Sequence, residues 1–280
     1  MIKAYQKDEE LFQDILKTKN NHSGLRVWWL GQSGFLVQWN GIHVLFDPYL
    51  SDSLTKKYEN TEKPHVRMSE KAIDPEKLDF IDVVTSSHYH TDHLDAETLK
   101  PILRQKKDIK FIIPEANRSF VSERVDCAPN FALGMTDGTE ISFSEEVKIT
   151  ALASAHNELE KDEFGNNKFL GFILNIGPYT LYHSGDTLWY EGLEEKVKAF
   201  APDVLFLPIN GNRPERMVAG NMSAEEAAKF GKVVNSGIVI PHHFHMFEFN
   251  TEDPDSFAKY AQVHHTKYQI LKIGQSFKLD

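Results

Sequence analysis

The sequence has little of two things that mark common protein classes, cysteine and positive charge. Its 280 residues contain one cysteine, Cys127, so no internal disulfide can form and an oxidised, disulfide-bonded scaffold is excluded. Lys and Arg number 31 against 41 Asp and Glu, which gives a net charge of −10. Because such a surface does not attract polyanions, we expect neither nucleic acid nor an anionic membrane as a partner.

Long apolar runs are also missing. The stretches 27–30 (VWWL) and 204–209 (VLFLPI) are far shorter than the roughly 20 residues that cross a membrane. The first ten residues, MIKAYQKDEE, have no apolar core, so we expect no signal peptide. Together with the single cysteine, these features predict a cytoplasmic protein without a membrane partner. They leave the oligomeric state open, with a homo-oligomer as one alternative.

The pattern of apolar residues predicts hairpins in the first half of the chain and alternating strands and helices in the second. Asn40-Gly41 is a strong hairpin signal, because a type I′ turn needs two positive φ angles, and Gly177-Pro178 marks a second hairpin. The predicted strands are 25–30, 35–39, 42–46, 79–84, 110–113, 146–154, 169–176, 179–184, 203–209, 237–241 and 269–273. The predicted helices are 5–19, 96–105, 190–200 and two more that begin after Ser223 and Asp253.

This mixture predicts an α+β sandwich: two mixed β-sheets packed face to face, with helices on both outer faces. We expect one domain over residues 1–280, because no Pro/Gly/Ser-rich linker divides the chain, with residues 1–24 as an N-terminal helical extension. The polar, aperiodic stretch 51–74 is predicted to be a long loop.

The chemistry is concentrated in the segment H-x-H-x-D-H, which holds His88, His90, Asp92 and His93. It directly follows the apolar run 79–84, which we interpret as a strand buried on both faces. Imidazole and carboxylate are good ligands for zinc and neighbouring first-row dications. In an extended loop His88 and His90 point the same way and can share one ion, while Asp92 and His93 can face a second. Asp95 stands where an N-cap of the next helix is expected.

More residues of ligand type follow other predicted strands. His156 follows 146–154, Asp186 follows 179–184, and His242, His243 and His245 follow 237–241. Alone, each histidine is more often a hydrogen-bonded surface residue, and an Asp after Gly is more often a turn residue. Rigid strands present sites on the loops at their ends, so these residues together favour a second set of ligands.

The order H-x-H-x-D-H, later His, later G-D-T, later P-x-H resembles the metallo-β-lactamase-fold hydrolase superfamily. Four segments also resemble its branch that contains L-ascorbate-6-phosphate lactonase: 47–54 (DPYLSDSL), 207–212 (LPINGN), 220–230 (GNMSAEEAAKF) and 241–247 (PHHFHMF). The resemblance covers residues 25–250 and implies a metallo-β-lactamase fold with two divalent ions, zinc or manganese, with iron a third alternative.

Carried over by position, the resemblance implies a ligand set. His88, His90 and His156 would hold one ion, and Asp92, His93 and His243 the other, with Asp186 as a bridge. The superfamily pattern P-x-H selects His243 over His242. Asp47, in the D-P segment, would orient a ligand histidine, although it also fits a turn at the end of a strand.

These residues predict a metal-dependent hydrolase that acts on a small polar substrate. Two ions lower the pKa of a bridging water, so no Ser or Cys nucleophile is required, and G-x-S-x-G is absent. Asp92 and His243 are the predicted catalytic residues, with Asp92 holding or relaying a proton. A phosphorylated sugar lactone is the sharpest substrate hypothesis. A small-molecule phosphodiesterase on the same ions and a non-catalytic metal-binding protein are the alternatives.

Four residues are predicted to bind the substrate. Asn210, Arg213 and Arg216 follow the strand 203–209, and guanidinium matches phosphate or carboxylate through bidentate bonds. His245, which follows the strand 237–241, is the fourth.

Overall fold

The computed structural model describes residues 1–18 and 24–280. Lys19, the last residue of the first predicted helix, lies outside the described residues. The described strands are β1 Leu25–Gly31, β2 Gly34–Trp39, β3 Ile42–Phe46, β4 Val83–Thr85, β5 Lys110–Pro114, β6 Leu133–Met135, β7 Glu140–Ser142, β8 Val147–Ala153, β9 Leu170–Ile176, β10 Tyr179–His183, β11 Val204–Pro208, β12 Ile238–His242 and β13 Ser276–Leu279.

Helices lie before and between these strands in both halves of the chain. The described α-helices are α1 Asp8–Thr18, α2 Ser53–Tyr58, α3 Ala96–Gln105, α4 Arg118–Val125, α5 Leu193–Lys198, α6 Ala224–Val234 and α7 Pro254–Val263. None of the helices in the described ranges combines the length and the apolar character that a membrane span requires.

The strands form two mixed sheets. The first has the order β13-β1-β2-β3-β4-β5-β6 and the second β12-β11-β10-β9-β8-β7. Neighbours from β3 to β6 run parallel, as do β10, β11 and β12, while the hairpin strands pair antiparallel. The Asn40-Gly41 turn joins β2 to β3 as predicted, with Trp39 paired to Ile42.

The two sheets pack face to face. Phe35 of β2 stacks on Phe206 of β11 with ring centroids 4.2 Å apart, and Phe46 of β3 stacks on His183 of β10 at 5.0 Å. Helix α4 lies against β5 of the first sheet, and α6 lies against β11 and β12 of the second. The predicted sandwich of two mixed sheets with helices outside is therefore confirmed.

Two helix starts follow from local sequence. Ser223 and Glu226 form the predicted capping box of α6, in which each side chain bonds the other residue's backbone N–H. At the start of α7 the Asp253 carboxylate accepts from the Asp255 N–H, and Pro254 takes the first helical position.

Three predictions of secondary structure were wrong. The run 269–273 is not a strand: Leu271 and Ile273 are buried without ladder pairing, and the chain turns at Gly274 before β13 pairs with β1. Only Val83–Thr85 of the run 79–84 is a strand. The loop 51–74 contains α2, which was missed because its six residues, SLTKKY, are mostly polar and too few to show a helical period.

Candidate metal centre

Asp47 fixes the start of the H-x-H-x-D-H loop. This carboxylate follows β3 and is fully buried. Its Oδ1 accepts from Thr85 Oγ1 at 2.8 Å and from the Ser87 backbone N–H at 3.0 Å. Its Oδ2 lies 2.7 Å from His93 Nδ1. Since an ionised carboxylate only accepts, His93 donates through Nδ1, and its Nε2 faces the cluster.

Asp95 fixes the other end of the loop. Its carboxylate caps α3, as predicted, by accepting from the Glu97 backbone N–H. It also accepts from Thr98 Oγ1 at 2.5 Å and from Ser53 Oγ at 2.9 Å. The loop is therefore held at both ends by buried carboxylates that belong to the scaffold.

The structure brings seven residues of ligand type together where several strands end. Within each of three overlapping groups, one ligand atom per residue lies within 4.8 Å of the others. The groups are His88, His90 and His156; Asp92, His93 and His243; and His88, His93 and Asp186. The first two contain the two histidine-rich halves of the predicted ligand set.

Asp186 lies between those halves. Its Oδ2 is 3.2 Å from His243 Nε2 and 3.6 Å from His156 Nε2, and its Oδ1 is 3.3 Å from His93 Nε2. Gly185 makes this placement feasible, because its φ is +58° and a Cβ would lie 2.7 Å from the Leu170 carbonyl oxygen.

The donor atoms of the cluster fit bound cations. His88 Nε2, His93 Nε2 and Asp186 Oδ1 are buried and have no hydrogen-bond partner in the described part of the chain. His156 Nδ1 donates to the Gly220 carbonyl at 2.8 Å, so its Nε2 lone pair faces the Asp186 carboxylate. Lone pairs that face one another in a buried site repel, and a cation between them removes both the repulsion and the desolvation cost.

The pKa values of the cluster residues also indicate that the site favours bound positive charge. Burial opposes protonation of His243, yet the carboxylates of Asp186 and Asp92 raise its pKa to about 9. His88 faces histidines as well as Asp186, and burial holds its pKa well below the ordinary value. The two carboxylates therefore attract cationic charge, and the neutral His88 imidazole remains free to act as a ligand.

His243 and its neighbour His242 lie on different sides of the end of β12. The φ of His243 is +62°, and this left-handed turn brings its imidazole into the cluster. His242 points away, with Nδ1 3.1 Å from Ser33 Oγ and its ring stacked on His183 at 5.3 Å. The structure thus places His243, and not His242, beside Asp92 and Asp186.

Gln32 also contacts the cluster, and sequence reasoning missed it. Its Nε2 donates to Asp92 Oδ2 at 2.8 Å and lies 3.1 Å from His243 Nε2. Gln32 occupies the turn between β1 and β2 with a φ of +48°. The sequence does place Gln32 in a turn at the end of a strand, where site residues are often found. It was not selected because glutamine is rarely a metal ligand.

A cavity of about 500 Å³ opens onto the cluster. Five cluster members line it: His90, Asp92, His156, Asp186 and His243. Its other walls come from segments that gave no functional signal in the sequence, namely α2, α4, residues 217–219 and residues 247–250. A small molecule in this cavity would contact the donor atoms directly.

A family model for the beta-lactamase superfamily domain matches residues 26–243. The chain belongs to the beta-lactamase superfamily. That range contains all seven cluster residues and Asp47.

Relatives of this superfamily protein cover nearly its full length. A UPF0173 metal-dependent hydrolase of Methanosarcina mazei is 29% identical over 259 residues, which are 91% of this chain and 99% of the relative. An isothiocyanate hydrolase from gut bacteria of Delia radicum has a similar structure, with a TM-score of 0.72 at 19% identity over 91% of this chain and 99% of that one. A metallo-beta-lactamase fold protein of Bacillus subtilis gives a TM-score of 0.62 at 17% identity, covering 91% and 99%. The two structural likenesses show the metallo-β-lactamase fold.

The four predicted substrate residues of this superfamily member do not line the cavity. Arg213 forms an ion pair with Glu252, and Arg216 donates to the Asn210 carbonyl and, at 2.6 Å, to the Thr251 carbonyl. Asn210 is buried, and its Nδ2 donates to Asn250 Oδ1 at 3.0 Å. For His245, the backbone N–H donates to Thr251 Oγ1 at 2.8 Å. Their role in substrate binding stays a prediction that the geometry of the cavity does not support.

Proposed function

We propose that this protein is a metal-dependent hydrolase of a small molecule and that it binds two divalent ions. The observation that supports this best is a cluster of histidines and carboxylates that borders an open cavity and contains three buried atoms without a hydrogen-bond partner among the described residues. His88, His90 and His156 would hold one ion, and Asp92, His93 and His243 the other. Asp186 would contact both, since its two oxygens face both halves of the cluster. The mixed nitrogen and oxygen donors suit zinc, manganese or iron.

Divalent ions bound here would acidify a water molecule and polarise the bond under attack. The residues of the chain supply orientation and proton handling. Asp47 holds the Nδ1–H of His93, and the Gly220 carbonyl holds that of His156, so each ring presents Nε2. Asp92 is the member of the cluster that accepts from Gln32 and whose side chain is 17% exposed. We propose that Asp92 holds the proton released in the reaction and passes it to the leaving group, with His243 beside it.

The finer substrate hypotheses remain open on this site. A phosphorylated sugar lactone follows from the resemblance to the lactonase branch, and a small phosphodiester would use the same ions. The net charge of −10 argues against a nucleic-acid substrate for either reaction. A panel of lactones compared with bis-p-nitrophenyl phosphate separates the two hydrolases. Bound metal with no turnover of either would favour a non-catalytic metal-binding protein.

The proposal is tested first by metal analysis. Protein that is loaded with excess zinc or manganese and then desalted should retain about two equivalents. His88→Ala should lower that number, because it removes a ligand that faces both halves of the cluster. His264→Ala is the matched control, since His264 ends α7 outside the cluster. Retention of no metal by the unsubstituted protein would contradict the proposal.

A further inference from the structure

The walls of the cavity are mainly apolar. Fourteen residues line it besides the five cluster members, and nine of these are apolar or aromatic. His65, Thr91 and Asn250 offer neutral polar side chains, and Tyr58 and Tyr89 add one hydroxyl group each. A sugar needs donors and acceptors around its whole ring, whereas a wall with nine apolar or aromatic residues favours a ligand with an apolar body.

Aromatic rings give the cavity flat, fixed surfaces. On one side Tyr58 stacks on His65 with centroids 4.1 Å apart and planes at 18°, and His65 meets Phe249 edge-on at 4.5 Å. In a second group Tyr89 meets Phe120 edge-on at 5.8 Å. Each of these rings packs against another ring, which fixes its orientation. The walls are therefore preorganised to bind a planar ligand.

The remaining two lining residues are cations, and each lies on one of these aromatic groups. Lys57 Nζ is 5.0 Å from the Tyr58 ring centroid, and the Arg124 guanidinium carbon is 4.6 Å from that of Phe120. Neither forms an ion pair with any carboxylate of residues 1–18 or 24–280. Lys56, the neighbour of Lys57, shows the contrast, because it pairs with Glu97 at 2.9 Å.

Arg124 has donors left for a ligand. Its Nη1 donates to the Tyr89 carbonyl and to Thr91 Oγ1, both at 3.1 Å. These bonds hold the guanidinium beside the H-x-H-x-D-H loop of residues 88–93, here called the ligand loop. Its Nε and Nη2 make no hydrogen bond with a described residue, and together they form the edge that binds an acidic group through two parallel bonds. None of the fourteen wall residues carries a carboxylate that would compete.

We infer that the substrate is an organic anion with a flat apolar or aromatic body, whose acidic group is bound by Lys57 and Arg124 while its scissile bond lies over the cluster. Lys57 is exposed and Arg124 is partly buried, and both line the same cavity, so an anion bound there would be attracted by both charges. The inference rests on the proposed function, because it names the substrate class of the same site.

The test compares three probes by calorimetric or NMR titration of the metal-loaded protein. 2-Naphthalenesulfonate carries both the ring and the charge, 2-naphthyl methyl sulfone carries the ring alone, and methanesulfonate carries the charge alone. Sulfonates are weak metal ligands, so preference among the probes reports on the walls rather than on the ions. We expect 2-naphthalenesulfonate to bind at least about fivefold more tightly than either of the others, an advantage that 0.5 M salt should reduce.

Lys57→Gln should weaken binding of 2-naphthalenesulfonate about three- to fivefold and leave the sulfone unchanged. Lys56→Gln is the matched control and should change neither, since Lys56 is already paired. Equal binding of the sulfone and the sulfonate, or an unaltered sulfonate affinity in Lys57→Gln, would overturn the inference.

Metal content is measured on every sample, so the two proposals can fail separately. Two bound equivalents with no preference for the aromatic anion contradict the inference alone. A sample that retains no metal contradicts the proposed function. The relative affinities of the three probes for that sample still test the inference, because the walls consist of protein side chains.

Discussion

At the scale of single residues, the centre depends on side chains that fix the rotation of its imidazoles. Asp47 is fully buried and accepts three hydrogen bonds from residues 85–87 besides that from His93. Burial would raise the pKa of Asp47, but the hydrogen bond from His93 and the electrostatic effects of His183 and His93 outweigh it, so this pKa is lowered. The carboxylate therefore stays ionised and keeps the His93 proton on Nδ1.

Asp47→Asn should weaken metal binding by about 10- to 100-fold, because an amide at this position accepts the His93 Nδ1 proton less strongly and can turn its own NH₂ toward the ring. Competition with a chromogenic chelator measures the affinity. Asp82→Asn is the control: Asp82 bonds the His43 N–H and pairs with Lys106 away from the cluster. Equal metal affinity of Asp47→Asn and Asp82→Asn would mean that Asp47 only supports the fold.

The pair His242 and His243 gives a second test at this scale. His243→Ala should reduce the metal content, since its Nε2 faces Asp92 and Asp186. His242→Ala should keep the metal but lower the free energy of unfolding by about 1–3 kcal/mol, because it leaves a void beside His183 and removes the contact with Ser33. Metal analysis and urea unfolding of both variants check this. Loss of metal in His242→Ala with retention in His243→Ala would reverse the assignment.

At the scale of elements, the ligand loop is only as rigid as the strand before it and the helix after it. Helix α3 begins three residues after His93, and its N-cap Asp95 also accepts from Ser53, the first residue of α2. Helix α2 in turn supplies Leu54, Lys57 and Tyr58 to the cavity. One buried carboxylate thus links the candidate metal ligands to a wall of the cavity.

Asp95→Ala should therefore lower both stability and metal affinity. Loss of the cap costs about 0.5–2 kcal/mol, and the freed N–H and hydroxyl groups add to that. Ser223→Ala is the matched control, because it removes the capping box of α6 at a similar cost in stability, and among the described residues the Ser223 side chain bonds only Glu226. Thermal unfolding and metal titration of both variants should separate the two effects. An unchanged metal affinity in Asp95→Ala would show that the strand β4 alone holds the loop.

At the scale of the whole molecule, the cluster joins the two sheets. Asp47 and the loop after β4 belong to the first sheet, whereas His156, Asp186 and His243 follow strands of the second. Buried lone pairs of one sheet face those of the other, so ions bound between them would stabilise the sandwich.

Removal of metal should consequently lower the unfolding temperature. An ion present at 100 times its dissociation constant contributes about 2.7 kcal/mol per site, roughly 5–10 °C for a chain of this size. Calorimetry with a chelator, and again after metal is restored, measures the shift. In His88→Ala the shift should be smaller, and an equal shift in both proteins would place the stabilising ion elsewhere.

Local sequence alone determined the turns, the helix caps and most of the ligand loop. The Asn40-Gly41 hairpin, the capping box at Ser223 and the Asp95 cap each depend on groups a few residues apart, so their geometry follows from turn and capping chemistry. The spacing of H-x-H-x-D-H is local in the same way, which is why it predicted a metal site.

Only the tertiary structure decided what faces that loop. Gln32, Lys57, His65 and Arg124 reach the site from turns and helices up to 92 residues apart in sequence, and no local pattern marks them. Conversely, Arg213 and Arg216 follow a strand whose end lies near the cluster, which is why they were predicted to bind substrate. In the structure Arg213 pairs with Glu252, and Arg216 donates to two loop carbonyls. The physical reason is that hydrogen bonds within a turn act between neighbours, whereas the contents of a cavity depend on how two sheets and their helices pack.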